Sequence, residues 1–437
     1  MKKVLVITYY WPPSGGSGVQ RWLKFVKYLR EFGWEPMVYT PLDPERMATD
    51  SSLESEIPLG VEVLQKKITE PYSLYKFFTG KKKESIKPGF IANSGNSSRA
   101  PFKERLSLFV RSNFFIPDPK MLWITPSARY LKKELALNPV DVIVSTGPPH
   151  SMHLIARKVS KATGIPWVAD FRDPWTKMYN FKYMGYSSLV ESIHKKLEKK
   201  VLRDASEVVT VTNTIAAEFE QLVNRPVHVI TNGFDPADFS DVKVEPEEGF
   251  TITYTGLFVK TQNPITFWEI LGERCRRDAN FSEELKIRLI GHTDSSVLAS
   301  IQENRLEKNL ISMEYTPHNQ VVEWQRKARV LLLCGGREPE SRGILTGKFF
   351  EYMAAARPIL GFGPKGGDMD IALEQSGCGT MFDYDQSEGV EAFIDQQYRL
   401  FKEGSTAVVE GEIDKYSRVE LTRKMAEVFN SVIDKMQ

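Results

Sequence analysis

The sequence predicts an α/β protein made of two doubly wound parallel domains. Three observations lead there. At 437 residues the chain exceeds one ordinary core. Short apolar runs alternate with amphipathic stretches almost throughout, as parallel strands buried between helices do. The rhythm also halts at ITNGFDPADFSDVKVEPEEG and then restarts, as at a linker between two cores.

The first strand is expected at Val4 to Thr8, a glycine loop follows, then a helix over Val19 to Phe32 and a strand at Pro36 to Tyr39. Further strands of this half fall at Val142 to Ser145, Trp167 to Ala169 and Val208 to Val211. The second half begins with strands at Thr251 to Thr255, Lys286 to Ile290, Val330 to Cys334 and Pro358 to Gly361. Leu421, Met425, Val428 and Val432 recur at helical spacing, so residues 416–437 are expected to form a helix that returns to the first domain. The expected division is 1–240, 241–415 and 416–437.

Composition narrows the function. With 41% hydrophobic and 26% charged residues the chain is neither disordered nor fibrous. Lys and Arg number 58 against 56 Asp and Glu, a charge of +2, so nothing global favours nucleic acid. Cys275, Cys334 and Cys378 are odd in number and far apart, which argues against a disulfide framework and for a reducing cytoplasm. The apolar run near the start is cut by prolines and glycines and reads as a strand, and no window spans a bilayer.

One stretch breaks the pattern. Between Lys66 and Arg111 there are eleven basic and three acidic residues, a local charge of +8, interleaved with seven aromatics. That composition suits either a solvated insertion or a contact with an anionic membrane surface.

In an open parallel sheet, ligands bind beyond the carboxyl ends of the strands. Five loops there carry chemistry. In YYWPPSGGSGVQR, Gly15 and Gly16 precede a helix, where missing side chains let backbone N–H groups approach a diphosphate. STGPPHSMH sets His150 and His153 on one face of a helix start, and ADFRDPW gathers Asp170, Arg172 and Asp173 at a strand end. The loop YTGLFVKTQNP offers Gly256, Lys260, Gln262 and Asn263. The fifth, CGGREPESRGILTGKFFEYM, supplies Arg337, Arg342 and Lys348 for phosphate and Glu351 for ribose hydroxyls. An i, i+3 surface pair of Lys348 with Glu351 is the plainer alternative. Asp368 and Asp370 form a DxD, read as a helix start with Asp368 at the N-cap rather than as a metal clamp.

These motifs together resemble the retaining GT-B glycosyltransferases of family 4: VLVITYYWPPSGGSGVQR, VADFRDPW, VITNGFDPADF, and GKFFEYMAAARPILGF followed by SGCG. The resemblance implies two Rossmann-like domains facing a central cleft, a nucleotide-sugar donor held mainly by the second, an acceptor by the first, and no cofactor or required metal. It places Glu351 at the ribose and Gly15 and Gly16 in the first loop. Where the family often has a glutamate eight residues earlier, this chain has Gly343, which leaves Glu338 or Glu340 to hold the donor sugar. The family's cations after the first glycine of the second half fall on Leu257 and Gln262, so charge neutralisation moves to Lys260, Arg342 or Lys348. Asp173 and His150 are both candidates for handling the acceptor. The implied activity is retaining transfer from a nucleotide-sugar to a glycan or lipid-linked acceptor in cell-surface polysaccharide synthesis, in the cytoplasm or peripherally on the membrane's cytoplasmic face. The alternatives are a sugar-nucleotide epimerase of the same fold and a non-catalytic sugar-nucleotide-binding assembly protein.

Overall fold

The computed structural model describes residues 1–46, 49–68, 112–178, 181–239, 244–245, 247–314, 316–405, 408–409 and 411–435. The basic, aromatic stretch of 66–111 therefore lies outside the described residues, except for its first three positions. Chain contacts divide the protein into Met1–Thr231 with Leu421–Gln437, and Asn232–Glu420. The division after Thr231 falls at the start of the expected linker.

The first unit holds seven parallel strands: β1 Lys2–Ile7, β2 Trp34–Leu42, β3 Glu62–Lys67, β4 Val142–Gly147, β5 Trp167–Phe171, β6 Glu207–Thr210 and β7 His228–Val229. Their order is β3-β2-β1-β4-β5-β6-β7, so the winding direction reverses between β1 and β4. Helices α1 Ser17–Tyr28, α2 Met121–Leu137, α3 Ser151–Thr163, α4 Ser188–Asp204 and α5 Asn213–Val223 cover the sheet. Because both faces of β1 and β4 are covered, Val4, Leu5, Val6 and Ile7 are all buried, two to each flanking core. The helix expected over Val19 to Phe32 ends at Tyr28, and a 3₁₀ turn finishes it at Gly33, whose φ of 80° needs a glycine.

The second unit repeats the plan with six parallel strands: β8 Phe250–Thr255, β9 Leu285–Ile290, β10 Leu310–Met313, β11 Val330–Cys334, β12 Ile359–Phe362 and β13 Gly379–Phe382. The order β10-β9-β8-β11-β12-β13 reverses between β8 and β11. Its helices are α6 Ile265–Arg277, α7 Ala279–Glu284, α8 Ser295–Glu303, α9 His318–Lys327, α10 Gly347–Ala354, α11 Asp368–Ser376 and α12 Glu388–Lys402.

The last helix, α13 Arg418–Asp434, buries Leu421, Met425, Phe429 and Val432 in the core of the first unit, where the Phe429 ring meets Trp34 edge-on at 5.2 Å. Truncating so buried an aromatic removes its transfer energy and leaves a cavity. Phe429→Ala is expected to destabilise the first unit by about 3–5 kcal/mol, read as a lower denaturant midpoint by tryptophan fluorescence.

Candidate functional site

Both units reverse their winding next to strand ends that carry the marked loops, and such reversals open a crevice for ligands. In the second unit the crevice lies between β8 and β11. Strand β8 ends at Thr255, and the next residue, Gly256, has a φ of +97°, with a Cβ there 3.4 Å from Lys348 Nζ. Glycine answers the left-handed turn, and the lysine packs against it at van der Waals contact.

Lys348 arrives from α10. The Thr346 cap places no side chain on the first turn, and nothing stands within 4 Å of where a Gly347 side chain would be. The helix therefore presents its amino end to open space, with the partial positive charge that such an end carries. Lys348 donates to the Tyr254 hydroxyl at 2.7 Å and lies 4.0 Å from that ring's centroid. Burial pulls its pKa down to about 8, against the opposing pull of Cys334 and Glu351.

Glu351 does not simply pair with Lys348 on the helix surface. Its Oε2 accepts from Gln325 Nε2 at 3.2 Å, and its Oε1 lies 3.4 Å from His318 Nε2, both on α9. Burial raises the carboxyl's pKa, but His318, Gln325 and Lys348 outweigh it and hold Glu351 below its ordinary value. The result is an ionised, half-buried carboxylate one turn from an open helix end. Gln325 also reaches the Thr255 hydroxyl at 3.2 Å, which ties α9 to the end of β8.

The rest of the second unit's candidates separate into near and far. Gln262 Oε1 is 3.4 Å from the Tyr254 hydroxyl, within the same group. Lys260 begins the short turn Lys260–Gln262 and is exposed. Glu340 and Arg342 are exposed on the turn Pro339–Gly343 that leads to α10. Asn263, expected to offer a donor, is consumed inside: Nδ2 donates to Ser300 Oγ at 2.9 Å and Oδ1 accepts from Trp268. Arg337 donates to the Asn263 carbonyl at 2.7 Å and lies 4.0 Å from the centroid of Tyr384. The DxD reading also needs correction. Gly367, not Asp368, is the cap of α11, and Asp370 accepts from Lys365 Nζ at 3.0 Å and Gly366 N at 2.8 Å.

In the first unit Gly15 and Gly16 lead into α1, with Gly16 as the cap at φ 98°. The neighbouring Gly18 has a different reason to lack a side chain, since a Cβ would come within 2.8 Å of Arg172 Nη1. The charge cluster of ADFRDPW divides. Asp170 is buried and accepts from Arg21 Nη2 at 2.8 Å, Trp22 Nε1 at 2.7 Å and Thr146 Oγ1 at 2.9 Å. Burial would raise its pKa, but Arg21 above all brings it below the ordinary value. This carboxylate joins α1 to β4 and β5 and is structural. Arg172 is likewise bound inward, to the Pro148 carbonyl. Asp173 is left half-buried, its pKa raised by burial against the pull of Arg172.

His150 caps α3 and stacks on Trp175 at 4.4 Å with the rings 2° from parallel. Its Nδ1 and the Nε2 of His153 are buried without a hydrogen-bond partner, and His153 Nδ1 meets Ser145 Oγ at 2.8 Å. A Cβ on Gly147 would lie 2.5 Å from His153 Nε2 and 3.2 Å from His150 Nδ1. His194 joins them, with Trp175 Nε1 donating to its Nδ1 at 3.0 Å. Among the described residues no group of three His, Cys, Asp or Glu is placed to hold a metal ion.

Residues 90–238 match the model of Glycosyltransferase Family 4. The chain has the GT-B fold. Sucrose-phosphate synthase from Thermosynechococcus elongatus is 12% identical at a TM-score of 0.56, over 100% of this chain and 97% of that one. TarM is 13% identical at 0.59, over 98% and 99%. A putative UDP-N-acetylglucosamine 2-epimerase from Listeria monocytogenes is 10% identical at 0.57, over 100% and 98%. No curated protein matches the sequence. In this GT-B chain, no described helix is long and apolar enough to cross a membrane.

The buried histidines predict a pH dependence. Burial lowers all three, His150 well below its usual value, His153 to about 3 and His194 to about 4. The unfolded chain takes up these protons from about pH 6.5 downward while the folded chain does not, so stability is full above 6.5 and lost below it. Each ring costs about 1.4 kcal/mol per pH unit in that range, partly offset by the buried carboxyls of Asp118 and Glu198, whose pKa values burial raises. His194→Gln is expected to flatten the fall by that one-ring slope, measured by urea unfolding at pH 7.5, 6.5 and 5.5.

Proposed function

We propose that this chain is a retaining glycosyltransferase that moves a sugar from a nucleotide-sugar donor to a glycan or lipid-linked acceptor. The observation that carries the reading is the grouping of Lys348 and Glu351 at the open amino end of α10, beside the side-chain-free turn at Gly256. An ionised carboxylate accepts from the two hydroxyls of a ribose, while the helix end and a lysine meet a diphosphate. WaaG, described as a glycosyltransferase involved in lipopolysaccharide biosynthesis, shares the fold and supports a cell-surface glycan as acceptor.

In this reading the diphosphate leaves as the sugar gains oxocarbenium character, and the acceptor hydroxyl arrives on the same face. Charge grows on the departing oxygens, so cations fixed there stabilise the transition state more than the ground state. Lys348 and Arg342 take that role, with side chains rather than a metal ion supplying the charge. Gly256, Lys260 and Gln262 line the donor in the second unit, Glu340 replaces the sugar-binding glutamate absent at Gly343, and Gly15 and Gly16 give the first unit a backbone loop suited to an anion. Asp173 handles the acceptor's proton, since burial raises its pKa toward a working range. His150 is held neutral by burial against Trp175, which leaves it one ring N–H and one acceptor nitrogen rather than a charge. The work is placed at the cytoplasmic face of a membrane, where a lipid-linked acceptor would be met.

The likeness to a putative UDP-N-acetylglucosamine 2-epimerase sustains a second reading, epimerisation of the donor sugar. The two separate on one measurement, because transfer releases nucleoside diphosphate only when acceptor is present. A thermal-shift panel of nucleoside diphosphates is expected to raise Tm for one base, by mass action on the folded state. Glu351→Ala should abolish that rise. Lys348→Ala should lower turnover about a hundredfold with little change in Tm. Unchanged turnover in Lys348→Ala would remove the reading.

A further inference from the structure

We propose that Tyr254 and Tyr384 are positioning residues that hold two cations, Lys348 and Arg337, at the strand ends where the second unit's sheet reverses, as a paired seat for a diphosphate. The inference rests on the donor reading above and names side chains that reading does not require.

The two mounts are built alike. Lys348 Nζ lies 4.0 Å from the centroid of the Tyr254 ring, and the Arg337 guanidinium lies 4.0 Å from that of Tyr384. A cation over an aromatic face is attracted to the ring's negative quadrupole, more so where water is excluded. Each tyrosine is itself fixed. The Tyr254 hydroxyl donates its proton to the Leu257 carbonyl at 2.8 Å, and its ring stacks on Phe258 with centroids 3.9 Å apart. The Tyr384 hydroxyl donates to the Gly335 carbonyl at 2.6 Å.

Because the Tyr254 proton is committed to Leu257, its oxygen is left to accept from Lys348, at 2.7 Å. A lysine carries its charge on a flexible four-carbon stem, and this contact gives the ammonium one position. Both mounts lie beside the same residue, since the side-chain oxygen of Gln262 is 3.4 Å from the Tyr254 hydroxyl and its carbonyl 3.3 Å from that of Tyr384. Both cations also act on one buried thiol, Cys334 at the end of β11. The pair is thus gathered around one strand end, and among the described residues no carboxylate forms an ion pair with Arg337. The groups facing Lys348 are Tyr254 from β8, Cys334 from β11 and Glu351 on its own helix.

The test titrates inorganic pyrophosphate into the full chain by calorimetry between pH 7 and 9.5, with UDP as a second probe. Lys348→Ala serves as the reference for the probes' own titration. Wild-type affinity is expected to fall as pH passes about 8, where Lys348 loses its proton. Tyr254→Phe keeps the ring but removes the acceptor that favours the charged form. It should weaken binding about tenfold at pH 7.5 and lower the midpoint by about one pH unit. Tyr384→Phe loosens the mount of an arginine that does not titrate, so it should weaken binding equally at every pH. Lys348→Arg stays charged and should abolish the limb without disturbing Tyr254. A Tyr254→Phe protein with wild-type affinity and midpoint, or a limb that survives in Lys348→Arg, overturns the inference. Wild-type binding by Lys348→Ala would instead overturn the donor reading beneath it.

Discussion

The second unit depends on one close approach, a lysine ammonium brought against a backbone turn that has no side chain. Gly256 makes the turn possible, because a side chain is strained at its φ of +97°, and the Lys348 amine packs 3.4 Å from where a Cβ would stand. Around that contact the unit arranges an open helix end, a carboxylate kept ionised by α9 and a ring beneath the amine. Burying a cation costs free energy unless its surroundings compensate. The pKa of Lys348, drawn down by burial, is the trace of that cost. An arriving anion offsets that cost and favours the charged form.

In the first unit the corresponding strand ends are finished differently. Asp170 sits under the reversal of the sheet and satisfies Arg21, Trp22 and Thr146 together, so its charge is spent on holding the scaffold. Beside it three histidines are packed as neutral aromatic rings around Trp175 and Phe171. The same residue types that mark a catalytic centre in a sequence here make a polar core. What separates the two outcomes is solvent: Asp173 keeps some, and Asp170 keeps none.

Much of this was legible in the residues alone. The central strands β1, β4, β5, β8 and β11 are continuous apolar runs, because both of their faces are covered, and so their places could be read. The strands β3, β7, β10 and β13 were not foreseen. β3 and β10 have few buried positions, β7 has two residues and β13 starts at a glycine, so none offers a run of its own. Lys348 and Glu351 could be found because the glycine loop and helix around them form a local pattern. Tyr254 could not, since a tyrosine inside a buried strand reads as core until its hydroxyl is seen to face a lysine. Asn263 and Asp170 misled for the converse reason, polar residues in loop-like surroundings whose partners lie far away in sequence.

The path of the chain has its own consequence. Leu421, Met425 and Phe429 follow the second unit in the chain and complete the core of the first. All of Asn232–Glu420 is synthesised before that happens. The later unit can thus close while the earlier one still shows the apolar face where Trp34 awaits Phe429. During translation the amino-terminal half is the one exposed to chaperones and proteases, and a ribosome that stops short of α13 releases a protein with its distal half folded and its first half open.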